Sequence, residues 1–371
     1  MFRHGATGRS TGALAVALVA SALAAGALVG CGESDDDESA DAAAEVAARI
    51  SIPDANRLET LGAVTVGGGT IWAVPEYDDP SSVSADAYIL RVDPEAAALD
   101  GEPSEVSQGR YIEPVYAGDS LWLPDGIDPF VIRVQSPADG EPSEERIDLG
   151  VGNEPRGTAA DEQFLWVTTY FGLSQIELSS NEVTKVKGTD APFDDFGRVA
   201  TGDGFVWLTD FGGNAVIRLD PETGETETAT LKFTPIRIAF DGEALWAIST
   251  ANAPRGVVAR IDAETMEVGE PIKLGGIPFA LAAGEEGVWA SVAKVTNYVA
   301  PEYPQGPLDG TDSPEGRTSV LEIDPESEEV GARVTVRDEP AETAIAVGEG
   351  SVWVTVERSE NYDPEIVKVD P

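Results

Sequence analysis

Seven short phrases built around tryptophan recur along this chain of 371 residues and constrain its fold more than any other feature. Each phrase places an aliphatic residue before the tryptophan and a short apolar run after it, as in VWLTD and LWAIS. Their spacing of about forty residues is typical of solenoids, propellers and other repeat arrays. The chain has no other tryptophan, and the seven are Trp72, Trp122, Trp166, Trp207, Trp246, Trp289 and Trp353.

The fourth repeat predicts what each unit contains. Four short segments of strand-forming residues, 198–201, 205–210, 215–220 and 225–231, are separated by the turn sequences GDG, GGN and PETG. We therefore expect an all-β protein built from four-stranded antiparallel units. One such unit cannot bury both faces, and radial packing of the units gives a β-propeller. Seven repeats predict seven blades, with the tryptophans in the core between blades.

The two ends of the repeat region predict how the ring closes. The last repeat stops at Pro371 after its third strand, so its outermost strand is missing. Residues 46–52, VAARISI, closely resemble residues 330–336, VGARVTV, which form the predicted outer strand of the sixth repeat. We therefore expect residues 46–52 to complete the seventh blade, which leaves no open seam in the ring.

The first 44 residues predict export and a lipid anchor rather than part of the ring. Arg3 and Arg9 precede an uncharged, alanine-rich run over residues 12–30, the pattern of a secretory signal. The run ends in LVGC, which resembles the lipobox of bacterial lipoproteins. That resemblance implies removal of residues 1–30, lipid on Cys31 and attachment to the outer side of the cell membrane. The alternative is an uncleaved anchor helix. Residues 31–44 are acidic and predict a disordered tether, and residues 45–371 the propeller.

The chain is strongly acidic, with 24 Lys and Arg against 67 Asp and Glu and a formal net charge of −43. Loss of Arg3 and Arg9 with the signal makes the mature chain two charges more negative. Such a field repels nucleic acid and anionic lipid, so the membrane contact is predicted to run through the lipid anchor alone. The acids favour solubility and a monomer; adaptation to high salt and attraction of cations remain alternatives.

Residue usage excludes several classes of chemistry. His4 is the only histidine and leaves with the signal, and Cys31 is the only cysteine. The mature chain therefore has no imidazole base, no histidine-ligated metal, no thiol nucleophile and no disulfide. No phosphate-binding loop or EF-hand sequence is present. We expect no cofactor, with carboxylate-bound Ca²⁺ or Mg²⁺ as the one alternative.

The repeat resembles that of the virginiamycin B lyase (streptogramin lyase) and YncE-like propeller families, and blade four, VWLTDFGGNAVIRLDPETG, matches it best. In the lyase a histidine follows a proline of the innermost strand and a glutamate stands three residues past a tryptophan, acting with magnesium. The positions that follow the corresponding prolines hold Arg156, Ile236, Phe279 and Ala341. Only Asp125 and Asp210 are acidic three residues past a tryptophan. The lyase pair is therefore absent, and the resemblance implies the architecture alone.

A site is expected where the loops before the first strands and the loops between the second and third strands converge on the axis. The candidate ligand or partner contacts there are Tyr111, Glu113, Asp125, Arg156, Tyr170, Phe171, Arg198, Asp210, Phe211, Arg237, Phe279 and Tyr298. Arg198 and Arg237 both stand nine residues before their tryptophans, so they should be equivalent in adjacent blades. They would hold an anionic ligand or a partner's carboxylates, or else pair with Glu113 or other nearby acids.

A long insertion, roughly residues 294–317, separates the second and third strands of blade six on the same face and contains Tyr298. It suits protein contact, and a loop without fixed structure is the alternative. We favour a non-enzymatic lipoprotein that binds an envelope protein, a peptide or a small molecule on this face. The alternatives are a metal-assisted lyase or hydrolase that uses carboxylates such as Asp125 and Asp210, and a passive scaffold.

Overall fold

The computed structural model describes residues 44–52, 61–74, 87–107, 109–135, 142–169, 171–187, 189, 196–250, 256–295, 316–357 and 363–371. Residues from Ala40 to Pro371 form one compact unit. The predicted signal, Cys31 and all of the predicted tether except residue 44 lie outside the described residues.

The described chain consists of 29 strands and connecting turns, in chain order. They begin with β1 (Glu45–Ser51), followed by β2 (Ala63–Gly67), β3 (Thr70–Val74), β4 (Ala87–Asp93), β5 (Ala98–Leu99) and β6 (Ser104–Val106) in blade one. Blade two has β7 (Val115–Ala117), β8 (Ser120–Pro124), β9 (Phe130–Gln135) and β10 (Ser143–Asp148); blade three has β11 (Pro155–Ala160), β12 (Phe164–Thr169), β13 (Gly172–Glu177) and β14 (Val183–Lys185). Blade four has β15 (Phe196–Gly202), β16 (Phe205–Asp210), β17 (Ala215–Leu219) and β18 (Thr226–Thr230); blade five has β19 (Arg237–Phe240), β20 (Ala244–Ser249), β21 (Val257–Asp262) and β22 (Ile272–Lys273). Blade six has β23 (Ile277–Gly284), β24 (Gly287–Val295), β25 (Gly316–Asp324) and β26 (Glu329–Arg337), and blade seven has β27 (Thr343–Gly348), β28 (Ser351–Val356) and β29 (Glu365–Asp370).

These strands form seven antiparallel sheets, one for each blade. The first strands of successive blades contact one another all the way round, from β2 through β7, β11, β15, β19, β23 and β27 back to β2. They are therefore the innermost strands and surround a central channel. The predicted seven-bladed β-propeller is confirmed. In blade one the outer position is divided, because β5 and β6 both pair with β4.

Strand β1 completes blade seven, as the sequence predicted. It pairs antiparallel with β29 from Glu45 opposite Asp370 to Ser51 opposite Glu365, so the strand begins and ends one residue before the predicted 46–52. Two arginines bind Glu365 at this junction: Arg49 lies 2.9 Å away, and Arg337, at the end of blade six, lies 3.2 Å away. The closing strand is thus joined by ion pairs to the last strand and, through it, to the preceding blade.

The tryptophans form the core between blades, which confirms their predicted role. Each packs with the buried side chains of the following blade, and Trp353 packs with those of blade one. Every indole N–H donates to a group in the preceding turn. In blades three and five the acceptors are the carboxylates of Asp161 and Asp241, at 2.7 and 2.6 Å. A buried indole needs such a partner, so the turn and the tryptophan are specified together.

The recurring aspartate at the end of the third strand has a structural role. Its carboxylate accepts hydrogen bonds from the N–H groups two and three residues later and so fixes the following turn. The four residues are Asp93, Asp220, Asp262 and Asp324. Backbone donors are the largest cause that holds the pKa of Asp220, Asp262 and Asp324 below its ordinary value. Part of the acidic composition therefore serves turn formation.

The insertion in blade six is shorter than the sequence predicted. Lys294 pairs with Arg317 and Val295 with Gly316, so β24 and β25 extend two residues further from the core of the blade than expected. Residues 296–315, with Tyr298, lie outside the described residues. Within the described ranges there is no helix, and hence none long and apolar enough to cross a membrane.

Candidate functional site

A cavity of about 440 Å³ lies at the mouth of the central channel where the inner strands begin. All seven blades contribute to its wall with residues at or just before the start of these strands. Because neighbouring strands are antiparallel, the end of a second strand lies on the same face, and Glu357 after β28 joins the wall in this way. This is the face on which the sequence predicted a site.

One position in each blade, nine residues before its tryptophan, surrounds the mouth. In five blades this residue pairs with the second residue after the tryptophan. The seven residues are Ala63, Glu113, Gly157, Arg198, Arg237, Ala280 and Ala344. Four are alanine or glycine, which leave space, and three are charged. The charged groups of this position are therefore confined to blades two, four and five.

The three charged residues form one cluster. Glu113 Oε1 lies 2.5 Å from Arg198 Nη1 and 3.8 Å from Arg237 Nε. Arg198 Nη1 also donates to the carbonyl oxygen of Arg156 at 3.1 Å, and Arg237 Nη1 donates to that of Ile236 at 3.2 Å. Of the two alternatives for the arginines, pairing with Glu113 is thus observed. Two guanidinium groups share a single carboxylate oxygen.

Glu113 reaches blade four because blade three has no side chain in between. A Cβ atom on Gly157 would lie 3.1 Å from Glu113 Oε2 and 2.7 Å from the carbonyl oxygen of Gly197. The backbone of Glu113 has φ of 40°, an uncommon conformation for a residue other than glycine. Thr158 donates its hydroxyl to the carbonyl oxygen of Glu113 and holds the turn. Three neighbouring blades thus cooperate to place one carboxylate.

We expect the substitution Gly157→Ala to displace this carboxylate and to lower the free energy of unfolding by about 1–3 kcal/mol, the usual effect of overpacking. The new methyl group meets backbone, which cannot move aside as a flexible side chain can. Urea denaturation and a crystal structure of the variant would measure both effects. The substitution Gly204→Ala is no control, because that residue has φ of 76°; Gly212→Ala, whose Cβ meets only Asp210 at 3.7 Å, is the matched one. An unchanged Glu113–Arg198 distance would contradict the expectation.

The part of the cavity wall formed by blades six and seven has a different character. Blade seven contributes Glu342 and Glu357, and blade six contributes Pro278 and the buried Phe279. Phe279 was among the sequence candidates, whereas both glutamates were missed. Glu342 directly follows Ala341, which is one of the positions compared with the lyase histidine. A comparison that included the next residue of each repeat would have identified Glu342.

Two sequence candidates from blade two are buried away from the cavity. Tyr111 is fully buried and donates its hydroxyl to the carbonyl oxygen of Ser107. Asp125 is 2 % exposed and accepts backbone hydrogen bonds from Ile127, Asp128 and Arg110 at 2.7, 2.8 and 3.2 Å. Burial raises the pKa of its carboxyl above the ordinary value, and these three hydrogen bonds partly oppose the shift. The geometry of Asp125 is that of a turn-forming residue.

The raised pKa of Asp125 predicts how stability changes with pH. The folded chain keeps this proton to a higher pH than the unfolded chain, so the Asp125 contribution to the free energy of unfolding falls as pH rises above the ordinary value. Asp125→Asn removes this titration. The variant also loses the carboxylate oxygen that accepts from the N–H of Arg110, but the cost of that loss does not depend on pH. We therefore expect the stability of the variant relative to the parent to increase with pH. Urea denaturation between about pH 4 and pH 8 measures the difference, and a constant difference would refute it.

The four other candidates that the structure describes also lie outside the cavity wall. Asp210 accepts a hydrogen bond from the N–H of Gly213 at 2.8 Å and fixes its turn. Phe211 lies over Gly197, and Phe171 lies over Gly152 with 60 % of its surface exposed. Arg156 contributes its carbonyl oxygen to Arg198. Tyr170 and Tyr298 lie outside the described residues.

A further set of residues supports the mouth and was not singled out from the sequence. Hydroxyl side chains two residues past the tryptophan bind the backbone of the inner strands near the mouth. They are Thr168, Thr209, Ser291 and Thr355. Thr209 Oγ1 accepts from the N–H of Arg198 at 2.8 Å and thereby helps to position that guanidinium. The repeated tryptophan–aliphatic–threonine phrase is the sequence signal of this role.

Within the described ranges, no group of three or more Asp, Glu, His or Cys side chains is arranged to hold a metal ion. The observed cluster has two arginines for one glutamate. This arrangement suits the recognition of a ligand group by charge-assisted hydrogen bonds.

Comparison with known proteins supports the fold. No protein-family model matches the chain, and no curated protein matches it in sequence. The structure is similar to that of a streptogramin B lyase, with a TM-score of 0.61 and 16% identity over 87% of this chain and 95% of that one. It is also similar to U3-55K (TM-score 0.56, 9% identity, 83% and 95% covered) and to the Pan2 WD40 domain of Neurospora crassa (0.55, 11%, 86% and 91%). Such low identities show a shared propeller fold only.

Proposed function

We propose that this chain is a lipid-tethered β-propeller that binds a protein, peptide or small molecule at the mouth of its channel, without catalysis. The observation that carries the proposal is the cavity with Glu113, Arg198 and Arg237 in its wall. Its volume of about 440 Å³ falls within the range of about 300–1,000 Å³ that is typical of ligand pockets.

The catalytic alternative has less support. It rests on carboxylates such as Asp125 and Asp210, and both accept hydrogen bonds from backbone N–H groups in the turns of their own blades. The charged groups that do line the cavity are Glu113, which pairs with Arg198 and Arg237, and Glu342 and Glu357 of blade seven. Arginine remains protonated at any physiological pH and therefore serves recognition better than proton transfer.

The membrane attachment rests on the sequence alone. LVGC, which ends at Cys31, and the acidic residues 32–44 support a lipid-anchored protein on the outer side of a bacterial membrane. In a bacterial host supplied with labelled palmitate, the parent should incorporate the label and lack residues 1–30, whereas Cys31→Ala should remain unlabelled. An unlabelled parent that retains residues 1–30 would favour the uncleaved anchor helix.

The binding function is tested with the chain from Ala40 onward, which forms one compact unit. The immobilised protein is exposed to bacterial envelope extract, and mass spectrometry identifies what it retains. We expect a species that is retained by the parent and by Arg260→Gln but lost from the double variant Arg198→Gln/Arg237→Gln. Arg260 is the control because it lies in β21 and pairs with Asp262 at 3.7 Å. Equal retention by all three proteins would refute binding at the mouth. Deletion of residues 296–315 separately tests the insertion.

A further inference from the structure

Three large apolar side chains are exposed in the part of the chain that the structure describes, and all three lie on the face of the cavity mouth. Val151 is 99 % exposed, Phe171 60 % and Ile127 45 %. Val151 stands between β10 and β11, Phe171 between β12 and β13, and Ile127 between β8 and β9. They belong to three neighbouring loops of blades two and three, which we call the loop surface.

Contacts between the loops join these side chains in one surface. The N–H of Leu149 donates to the carbonyl oxygen of Pro129 at 2.8 Å, which connects the loop between β10 and β11 to the loop between β8 and β9. A Cβ atom on Gly152, next to Val151, would lie 2.8 Å from Phe171 Cε2, so the aromatic ring covers this turn. The exposed apolar groups therefore lie along one stretch of the mouth face. Grouped apolar side chains of this kind mark interaction sites.

Hydrogen bonds from side chains fix each of the three loops. Asp125 Oδ1 accepts from the N–H of Ile127 at 2.7 Å, and Thr169 Oγ1 accepts from the N–H of Phe171 at 3.2 Å. In the loop between β10 and β11, the side-chain amide of Asn153 donates to a backbone carbonyl oxygen at 2.9 Å. Because the backbone is already ordered, a partner that covers these side chains has little loop ordering to bring about, which favours binding.

The charge of the loop surface indicates what its partner carries. Residues 125–129, 148–154 and 171–172, which form the three loops, contain four acids and no lysine or arginine. Arg146 offsets one of these acids by pairing with Asp148 at 3.2 Å. Interfaces bring opposite charges together, so a complementary partner has basic groups beside the apolar side chains that cover the surface.

The acids also weigh against two other occupants. A second copy of the chain carries the same formal net charge of −43 and the same acidic loops, so the two copies repel one another. An anionic lipid surface is repelled for the same reason. The nearest basic residues in the sequence, Arg110 and Arg156, are half-buried, whereas Asp128 and Asp148 are exposed, so the acids dominate the outer part of the surface.

We propose that the loop surface docks an apolar segment of another protein that carries lysine or arginine beside its apolar side chains. Val151 and Phe171 supply the apolar contact, and Asp128 and Glu154 attract the basic groups. This inference goes beyond the proposed binding at the cavity, because it requires none of the charged groups in the cavity wall.

Fluorescence anisotropy with a model peptide tests this proposal. The chain from Ala40 onward is titrated into labelled KLKFKLKFKL, whose ends are blocked and in which lysine alternates with leucine or phenylalanine. We expect this probe to bind. It should bind at least about tenfold more weakly when serine replaces every leucine and phenylalanine, because the apolar contact is lost. Glutamate in place of every lysine should weaken binding by at least about tenfold as well.

Two double variants locate the binding of the probe. Val151→Ser/Phe171→Ser removes the apolar contact without changing the charge and should bind the probe at least about tenfold more weakly than the parent. Both side chains are exposed, so the melting temperature of this variant should equal that of the parent. Arg198→Gln/Arg237→Gln changes the cavity wall alone and should bind the probe as the parent does.

A second pair of variants tests the role of the acids. Asp128→Asn/Glu154→Gln should weaken binding of the probe by about threefold, because two exposed attractions are removed. Glu222→Gln/Glu264→Gln removes the same charge from the turns that follow β17 and β21, on the opposite face of the ring, and is the matched control. It should weaken binding by less than about twofold.

Four outcomes would overturn the inference. They are no binding of the probe, equal binding of its serine form, equal binding by Val151→Ser/Phe171→Ser, and loss of binding in Arg198→Gln/Arg237→Gln. The last result would place the peptide in the cavity and so support the proposed function while this inference fails. Sedimentation with vesicles of phosphatidylglycerol and phosphatidylcholine, if it required Val151 and Phe171, would identify a membrane as the occupant instead.

Discussion

A chain that begins at Pro53, and so lacks β1, should lose most of the stability of the chain that begins at Ala40. Ile50 and Ile52 are 6 % and 5 % exposed, and each contributes about 1.5–3 kcal/mol through burial. The six residue pairs between β1 and β29 add hydrogen bonds worth about 0.5–1.5 kcal/mol each. The sum is comparable with the about 5–15 kcal/mol by which whole domains are stable. We therefore expect the shortened chain to be largely unfolded or aggregated at room temperature.

Circular dichroism and thermal unfolding of the two chains measure this loss. A synthetic peptide of residues 44–52 added to the shortened chain should restore part of the stability, which distinguishes the missing strand from a general defect. The single substitution Ile50→Ala should lower the free energy of unfolding by about 2–5 kcal/mol, because Ile50 is buried. Arg49→Ala removes an ion pair of a side chain that is 44% exposed, so it should lower the free energy of unfolding by no more than about 1 kcal/mol. A melting temperature of the shortened chain close to that of the longer one would contradict the closing role of β1.

Trp207→Ala should lower the free energy of unfolding by about 3–5 kcal/mol. The indole is completely buried between blades four and five, where it stacks on Phe240 with ring centroids 6.1 Å apart. It also meets Phe205 edge to face at 6.5 Å and donates its N–H to the carbonyl oxygen of Gly202. Its removal leaves a cavity that rigid strands on both sides cannot close.

Urea denaturation of Trp207→Ala against Phe171→Ala measures this effect. Both substitutions remove a large aromatic side chain, but Phe171 is exposed, so its replacement should change the free energy of unfolding by no more than about 0.5 kcal/mol. Trp207→Phe keeps a ring in the cavity and should fall between the two. Equal effects of the two alanine variants would mean that the tryptophans are not the core between blades.

The sequence predicted the fold well because local signals and the repeat agree. The turn that contains Asp161 also supplies the acceptor for the Trp166 indole, so one phrase specifies a turn, a strand and a buried contact. Seven repeats of such a phrase predict one architecture, the seven-bladed propeller. The closing strand was also found, because residues 46–52 resemble an outer strand of another blade.

The site was predicted less completely, for a geometrical reason. Position in the repeat fixes the face and the distance from the axis, and it correctly brought Glu113, Arg198 and Arg237 together. It does not fix the direction of a side chain at the end of a strand. Tyr111 and Asp125 lie on the predicted face yet point into the core and into a turn. Glu342, just before β27, and Glu357, just after β28, were missed because neither stands at a repeat position from which the candidates were drawn.

Closure of the ring by β1 also determines when folding can be completed during synthesis of the chain. Arg49 and its ion-pair partner Glu365 are 316 residues apart, so β1 leaves the ribosome long before the strand with which it pairs. At about 5–20 residues per second, the interval is roughly 15–60 s. Six blades can form from local contacts during that time, while β1 waits with its apolar face uncovered. Final assembly therefore depends on keeping the earliest part of the ring soluble until the latest part has been made.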